Sequence, residues 1–352
     1  MGLGTFIIRR VLLLIPTLIG VTILIFAVTM LLSPIQRAAL YVRSPQQIRE
    51  LPNIAAQYGL YDPAYVQYFR WLQQVLSGNL GFSITTNDLV LNQLLIRFPR
   101  TAEIVLPSIP LIIIIGIYLG VKSAVHRDHI IDHSTRFLAI FGWSLPTFWL
   151  AIMLLAIFYG YLGWFPPGTS GRPLGGAAVE FVTSSGSGWH TYTGFYTIDG
   201  LLNGQPWITL DAIKHLVLPT MTLVIINIAL IIRIMRSSML EALGKNYIIT
   251  AKAKGLRNKE VINTHARRNA LIPVITMSGL LTAGLLTGVI ITETIFSIDG
   301  LGRMAANAAL SRGVPDIPAV LGFALFACIV YVGANLVVDI LYAYIDPRIR
   351  LG

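Results

Sequence analysis

Long apolar runs alternate with polar stretches along the whole chain. The first run, 11–32, contains no charged residue. At about 1.5 Å per residue, a helix of this length crosses a hydrocarbon core of about 30 Å. Five further runs have a similar character: 102–124, 134–163, 215–235, 271–291 and 317–344. The pattern predicts an all-α polytopic membrane protein with six transmembrane helices.

The polar stretches divide the chain into four parts. Residues 1–32 hold the N-terminus and the first span, and 33–101 form a segment on the far side of the membrane. Residues 102–344 form a five-helix membrane core, and 345–352 form a tail. We expect the first span to be retained as a membrane anchor, because its apolar region is too long for a signal peptide.

The segment after the first span contains two helix signals. Asp62 and Pro63 are typical of a helix start, and the apolar spacing that follows predicts an amphipathic helix ending near Gly78. A second short helix is expected over 88–98, with its apolar residues on one side. The external segment is therefore predicted to be helical.

Basic residues set the orientation of the spans. The connection 236–270 carries Arg236, Lys245, Lys252, Lys254, Arg257, Lys259, Arg267 and Arg268 against only Glu241 and Glu260. Connections rich in lysine and arginine stay on the cytoplasmic side. We therefore expect 236–270 and both termini in the cytoplasm, the connection 164–214 outside, and the protein in the plasma membrane.

The composition supports a membrane protein and argues against a nucleic-acid partner. The chain of 352 residues is 55% hydrophobic and 12% charged, whereas soluble domains are about 25% charged. The net charge of +10 is concentrated between apolar runs, where it suits the lipid bilayer rather than nucleic acid. The single cysteine, Cys328, excludes an intrachain disulfide and a multi-cysteine metal site.

Catalytic and nucleotide-binding motifs are missing from the sequence. The only Gly-Lys pair, Gly244-Lys245, lacks the earlier glycine of a phosphate-binding loop and is followed by Asn246. The sequence contains no H-E-x-x-H or G-x-S-x-G pattern. We expect neither enzyme activity nor a cofactor in this chain.

Three histidines offer the one candidate metal site. His126, His129 and His133 are spaced i, i+3 and i+7, with Asp132 beside them, which would place three imidazoles on one helical face. The alternative is a short cytoplasmic connection whose histidines are solvated near lipid headgroups. Our interpretation is that no metal binds there.

The basic connection contains a stretch with the features of a docking element. Tyr247, Ala251 and Gly255 are spaced i, i+4 and i+8, and the two small residues would let another surface approach closely. Gly255 suits a helix end, and Leu256 offers an apolar contact. A second short helix is expected over 258–265.

Polar residues inside the spans mark candidate pathway or packing positions, because they cost free energy unless they face a cavity or another helix. They are Asn227, Thr282, Thr287 and Asn335. Asp339 lies four residues after Asn335 and suits helix-to-helix hydrogen bonding or a headgroup-level position. Arg233 is expected to extend toward the cytoplasm.

The external connection 164–214 is rich in aromatic residues, including Trp189, Tyr192, Phe195, Tyr196 and Trp207. Such residues stack on sugars or grip a partner protein. They also anchor loops at the membrane interface. Both readings stay open, with interfacial anchoring favoured.

Taken together, the chain resembles the membrane subunits of binding-protein-dependent ABC importers, specifically the dipeptide/oligopeptide/nickel permease family. The likeness covers nearly the whole length. It is carried by the order and spacing of these blocks: IIRRVLLLIPTLIGV, YGLYDPAYVQYFRWL, SGNLGFS, RFPRTAEI, SLPTFWLAI, LGWFPPG, DGLLNG, HLVLPTMTL, RSSMLEAL, YIITAKAKGL, HARRNALIP, ETIFSIDGLGR and NLVVDILYAYIDPRIR. The resemblance implies the fold of a type I importer permease.

The resemblance also implies the function and the partners. Two permease chains pair, here as a heterodimer, two cytoplasmic ATPases bind ATP and magnesium, and an external binding protein delivers the solute. The segment that would dock on the ATPase comprises Tyr247, Thr250, Ala251, Lys252, Ala253, Lys254, Gly255 and Leu256. Two positions depart from the family pattern: Ile249 stands where a glutamate is frequent, and LLSPIQ replaces the usual proline-glycine-aspartate element.

The solute is left open by the sequence. Similar chains import dipeptides, oligopeptides, nickel chelates or oligosaccharides, and we favour oligopeptides over oligosaccharides. Two hypotheses from other classes stand beside this one. An intramembrane enzyme of lipid or glycan metabolism would act alone, and an ion-coupled transporter would import solute without ATPases.

Overall fold

The computed structural model describes residues 3–168, 189–311 and 315–345. In these ranges the chain is almost entirely helical, with one antiparallel pair of two-residue strands. The elements before the core are α1 (Leu3–Thr29), α2 (Pro34–Ala38), α3 (Leu51–Gln57), α4 (Ala64–Leu76), β1 (Phe82–Ser83) and β2 (Asp88–Leu89). Those of the core are α5 (Val90–Val125), α6 (Ile130–Ser144), α7 (Thr147–Leu154), α8 (Tyr196–Leu202), α9 (Pro206–Leu243), α10 (Asn246–Ala253), α11 (Asn258–Leu286), α12 (Ile290–Ile295), α13 (Leu301–Ala309) and α14 (Ile317–Ile345).

Within the described ranges, five helices are long and apolar enough to cross a membrane: α1, α5, α9, α11 and α14. The sixth candidate is a broken span, in which α6 and α7, extended as a π-helix over Leu155–Tyr161, meet at 101°. The break falls at Leu145 and Pro146, where the proline ring disfavours a helical conformation of the preceding residue. The sequence predicted one span over 134–163, whereas the structure has two helices joined at a sharp bend. The predicted all-α polytopic fold is confirmed.

Two of the short helices predicted from the sequence are the beginnings of longer ones. The predicted helix over 88–98 is wrong, because α5 runs without interruption from Val90. The short helix expected over 258–265 also continues, through a π-helical turn at Val261–Ala266, into the span α11. In both cases an apolar span is extended by polar turns that a hydropathy pattern assigns to the loop.

The helix α4 is confirmed, but its start differs from the prediction. Pro63 occupies the N-cap position without a side-chain hydrogen bond. The Asp62 carboxylate instead accepts a hydrogen bond from Arg70 at 2.6 Å. Asp62 therefore does not serve as the N-cap, contrary to the prediction from the sequence.

The centre of the core is the contact between α5 and α9. A β-carbon added to Gly116 would lie 2.6 Å from Ile231, and one added to Gly120 would lie 2.6 Å from Met235. Two glycines one turn apart thus let the helices approach closely, as small residues do in membrane helix pairs. Ile112, Ile231 and Met235 are fully buried along this contact.

The external segment folds as a unit against the end of α1 and against α14. Its apolar cluster includes Phe26 of α1, Tyr41, Trp71 of α4 and Leu325 of α14. A buried carboxylate, Asp316, fixes the segment from the other side, as described below.

Candidate functional site

The predicted docking element is a short helix at the cytoplasmic end of α9, in the proposed orientation. The chain leaves α9 at Leu243, and the exposed ion pair between Lys245 and Glu241, at 2.9 Å, covers the turn. This hydrogen bond raises the pKa of Lys245. Helix α10 then begins at Asn246 and ends at Ala253.

The end of α10 follows from its glycine. Gly255 has a φ of +78°, the left-handed conformation that glycine adopts most readily. The amide of Leu256 donates to the carbonyl of Ala251, and that of Gly255 donates to the carbonyl of Lys252. This is the Schellman arrangement, which satisfies carbonyls at a helix C-terminus. The predicted role of Gly255 at the helix end is therefore present in the structure.

The inner side of α10 packs on the protein itself. Ile248 is 1% exposed and Ala251 is 5% exposed, in a cluster that contains Val261 and Ala266 of α11. The sequence pattern placed Ala251 on the docking face beside Tyr247 and Gly255. That placement is wrong, because the small side chain of Ala251 seats α10 against α11 rather than leaving room for a partner.

The outer side of α10 is exposed and carries several apolar side chains. Ile249 is 63% exposed, and Tyr247 and Leu256 are exposed at about 40% and 38%. The other predicted docking residues, Thr250, Lys252, Ala253, Lys254 and Gly255, are exposed as well. At about 100° per residue, Tyr247 and Ile249 lie about 160° apart on α10, so they occupy opposite flanks of its exposed side. We call Tyr247, Ile249 and Leu256 together the α10 outer face. Ile249 is the most exposed of the three.

A groove of about 360 Å³ adjoins the α10 outer face. It lies between the end of α9 and the middle of α11, and its lining includes Glu241, Lys245, Tyr247, Asn269 and Pro273. The groove and the α10 outer face share Tyr247, so the groove adjoins this face on the flank opposite Ile249.

A buried ion pair ties the end of α9 to two other helices. Asp132 at the start of α6 is fully buried. It accepts two hydrogen bonds from the Arg236 guanidinium, at 2.7 and 2.8 Å, and one from the Ser123 hydroxyl at 2.6 Å. These contacts connect α9, α6 and α5 ten residues before α10 begins at Asn246. The sequence interpretation missed them because it grouped Asp132 with the histidines.

The candidate metal site does not assemble. Helix α5 ends at Val125 and α6 begins only at Ile130, so His126, His129 and His133 do not share one helical face. The Nδ1 atom of His126 faces the carbonyl of Lys122 at 3.0 Å. Among the residues that the structure describes, no three His, Cys, Asp or Glu side chains lie close enough to hold a metal ion.

Of the predicted pathway residues, Thr287 and Asn335 lie together. Both line a cavity of about 540 Å³ between α1 and α14, with Tyr331 and Asp339. Asp339 pairs with Arg10 of α1 at 3.1 Å, which agrees with the expected helix-to-helix contact. The amide of Asn227 and the hydroxyl of Thr282 instead donate to carbonyls of their own helices, and neither lines this cavity.

Arg233, which was expected to extend toward the cytoplasm, contacts an aromatic ring. Its guanidinium carbon lies 4.7 Å from the ring centre of Trp143 in α6. This distance is within the range of a cation–π contact.

Buried carboxylates organise the opposite end of the core. Glu103 accepts hydrogen bonds from the amide and hydroxyl of Thr197, both at 2.8 Å. Glu293 accepts one from the Thr101 hydroxyl at 2.7 Å. Asp316 accepts from the Ser83 hydroxyl at 2.7 Å and from the amide of Thr85 at 2.9 Å. The sequence analysis named none of these three carboxylates. An acidic residue beside an apolar run is a signal by which they could have been identified.

The aromatic external connection is described only in part, since 169–188 lie outside the described residues. Tyr196 lies under the Arg100 guanidinium, whose central carbon is 3.2 Å from the ring centre. Tyr192 and Trp207 are exposed. Phe195 lines an apolar pocket of about 430 Å³ together with Glu103 and Leu106. The described aromatics therefore serve both packing and exposed surfaces.

Comparison with known proteins gives a consistent answer. The profile of the family described as "Binding-protein-dependent transport system inner membrane component" matches residues 112–351. The probable D,D-dipeptide transport system permease protein DdpB of Escherichia coli (strain K12) is 41% identical over 300 residues, covering 85% of this chain and 84% of that protein.

Two further relatives cover almost the full length. The dipeptide transport system permease protein DppB of Alkalihalophilus pseudofirmus is 40% identical over 344 residues, covering 97% of this chain and 98% of the relative. The oligopeptide transport system permease protein AppB of Bacillus subtilis (strain 168) is 34% identical over 349 residues, covering 99% of this chain and 100% of that protein.

These matches confirm the resemblance drawn from the sequence blocks. The relatives are transport permease subunits rather than enzymes, and the candidate spans make this chain a multi-pass membrane protein. ATPase and binding-protein partners are a general property of such systems. The chain belongs to the family of binding-protein-dependent transport system inner membrane components, as a membrane permease subunit of an ABC importer.

Proposed function

We propose that this chain is the permease subunit of an ATP-driven importer for dipeptides or short oligopeptides, and that it works by alternating access. The names of the relatives, which refer to dipeptides and oligopeptides, support the solute class. No feature of the described residues favours oligosaccharides over peptides.

The proposed assembly has four kinds of components. Our chain pairs with a second, different permease chain, two cytoplasmic ATPases bind ATP and magnesium, and an external binding protein delivers the peptide. Both termini and the connection 236–270 lie in the cytoplasm of this arrangement, in the plasma membrane. The eight basic residues of that connection support the orientation.

The observation that carries the proposal is the α10 outer face. Ile249, Tyr247 and Leu256 are exposed on a surface bordered by Lys252 and Lys254. An apolar surface with charged borders is typical of a protein contact. We assign this surface to the groove of an ATPase, with Ile249 as its apolar anchor in place of the more frequent glutamate.

The inner contacts of α10 provide the route by which movement enters the membrane. Ile248 and Ala251 pack on α11, and Arg236 joins α9 to α6 and α5 through Asp132. A displacement of α10 therefore acts on four helices together rather than on a loop. Movement of packed helices as rigid bodies is a common form of such transitions.

The cavity that contains Thr287 and Asn335 is our candidate for a polar part of the solute path or of the contact with the second permease. Asn227 and Thr282 remain candidates for packing positions, since the hydrogen bonds from their side chains to Leu223 and Ser278 stay within their own helices.

Substitution of Gly255 tests the coupling role in the complete transporter. We expect Gly255→Trp to abolish peptide-stimulated ATP hydrolysis and uptake in proteoliposomes, because an added β-carbon meets no atom within 4 Å and the indole would project from the outer surface. The measurement is ATPase activity with and without peptide-loaded binding protein, together with uptake of a labelled dipeptide.

Gly255→Ala is the matched control, because it imposes the same strain at φ +78° without the bulk. We expect it to retain most of the stimulation. Normal stimulated hydrolysis and uptake by Gly255→Trp would show that α10 is not the coupling element. Uptake by the permease chains alone under an ion gradient would favour an ion-coupled transporter, and chemical turnover of a lipid or glycan would favour an enzyme.

A further inference from the structure

Helix α4 exposes a row of apolar side chains. Tyr65, Phe69 and Leu76 are 68%, 66% and 78% exposed. At about 100° per residue, these three and the half-buried Leu72 fall within about 60° of one another on the helix. We call these four residues the α4 stripe. Folded proteins rarely leave such a row in water unless it meets a partner or a membrane.

The contacts of α4 with α1 fix its depth. The hydroxyl of Tyr68 lies 3.0 Å from the hydroxyl of Thr22. The ring of Phe26 lies 5.4 Å from that of Tyr68 and 5.8 Å from that of Trp71. Thr22 precedes the end of α1 at Thr29 by about two turns, or about 10 Å. Helix α4 therefore lies beside the last turns of a membrane span, not above them.

The polar residues of α4 are arranged accordingly. Gln67 and Gln74 are buried, and the Gln67 amide donates to the carbonyl of Asp62 at 2.6 Å. The exposed polar side chains, Arg70 and Gln73, are displaced by about 40° or more from the α4 stripe, on the side away from Tyr68 and Trp71. One exposed side of α4 is thus apolar and borders α1, while the other is polar.

We propose that α4 lies in the boundary between headgroups and acyl chains of the bilayer, with the α4 stripe immersed in lipid. In the proposed orientation this is the outer leaflet. Interfacial helices bury their apolar face by about 5–10 Å, which agrees with the depth of Thr22. Tyrosine is enriched at this level of the membrane. The stripe also extends the lipid-facing surface of α1, where Ile23 and Leu24 are exposed.

Spin labels at single cysteines test this placement. The native Cys328 is first replaced by serine, and a nitroxide is attached at Phe69→Cys or, in a second protein, at Tyr65→Cys. The full chain is reconstituted in vesicles of phosphatidylethanolamine and phosphatidylglycerol. Collision rates are then measured with oxygen, which concentrates in lipid, and with a nickel chelate, which stays in water.

A label at Gln73→Cys is the matched control on the same helix. We expect the ratio of oxygen to nickel collisions to be several-fold higher at positions 65 and 69 than at 73. Equal ratios at all three positions would place the stripe in water and overturn the proposal. Low collision rates with both reagents at 65 and 69 would also overturn it, because they would show that protein covers the stripe. Agreement between positions 65 and 69 guards against local disturbance by one substitution.

Discussion

The external segment and helix α10 are held to the membrane core in different ways. The external segment combines an apolar cluster on α1 and α14 with directional contacts of polar groups, above all the Asp316 carboxylate with Ser83 and Thr85. Helix α10 is seated by apolar side chains, Ile248 and Ala251. Hydrogen bonds lose strength steeply with angle, whereas apolar packing is not directional. The difference indicates that the first contact fixes one geometry, while the second permits small rotations of α10.

The largest expected effect is the loss of the Asp316 contacts. Asp316→Ala leaves the buried Ser83 hydroxyl and the partly buried Thr85 amide without their acceptor, at about 1–3 kcal/mol for each buried donor. We expect a total of about 3 kcal/mol, which corresponds to about a hundredfold increase in local opening of the external segment. The measurement is the rate of limited proteolysis of the external segment in oriented vesicles.

Asp299→Ala is the control for this prediction. Asp299 pairs with Arg97 at 3.0 Å, but its side chain is 59% exposed. Exposed ion pairs contribute about 0–1 kcal/mol, so cleavage should change by less than about fivefold. A similar cleavage rate for both variants would contradict the polar anchoring of the segment.

An intermediate effect is expected from overfilling the seat of α10. Ala251→Leu adds three carbons to a position that is 5% exposed, and overpacking costs about 1–3 kcal/mol. We expect helix α10 to be displaced and peptide-stimulated ATP hydrolysis of the complete transporter to fall about tenfold. Ala253→Leu makes the same change at an exposed position within the proposed docking surface, so it adds bulk outside without disturbing the seat of α10. We expect Ala251→Leu to lower the thermal stability of the chain as well as stimulated hydrolysis, and Ala253→Leu to leave thermal stability unchanged. Normal stability and normal stimulation of Ala251→Leu would contradict the seating of α10 by Ala251.

The smallest effect separates two glycines with the same kind of backbone. Gly81 in the external segment has a φ of +91° and Gly255 has a φ of +78°. A β-carbon on Gly81 would lie 3.0 Å from Pro318 and 3.1 Å from the carbonyl of Leu40, whereas one on Gly255 meets nothing within 4 Å. Gly81→Ala should cost about 2 kcal/mol and Gly255→Ala about 1 kcal/mol.

Thermal unfolding of the two alanine variants in detergent measures this difference. Equal losses of stability would show that the tighter surroundings of Gly81 relax at no cost. They would weaken the contrast between a rigid external segment and a tolerant α10.

Much of the fold was predictable from the sequence, because apolar runs report directly on membrane spans. The spans α1, α9 and α14 and the amphipathic helix α4 follow from hydropathy and spacing alone. The bend between α6 and α7 was missed, although Pro146 signals it, because a hydropathy window does not distinguish one straight helix from two. Helix α5 begins at Val90, before its apolar run, because its first turns are polar and a hydropathy window assigns polar turns to the preceding loop.

The site was predictable to a lesser degree. The location of α10 and its end at Gly255 followed from the sequence, but the direction in which Ala251 points did not. Spacing along a helix shows which residues share a face, and only tertiary packing decides which face is inside. The partners Arg236 of Asp132, Thr197 of Glu103 and Ser83 of Asp316 lie 94 or more residues away in sequence, so no local pattern could identify these pairs.

Helix α5 connects the buried carboxylates at the two ends of the membrane core. From Ser123, bound to Asp132, to Thr101, bound to Glu293, the helix measures about 33 Å. A tilt of about 5° around Ser123 would carry Thr101 about 3 Å sideways, enough to break its hydrogen bond of 2.7 Å to Glu293. In the proposed mechanism helix α5 would act as a lever arm, because a small tilt at its Ser123 end is large enough to break the hydrogen bond at its Thr101 end.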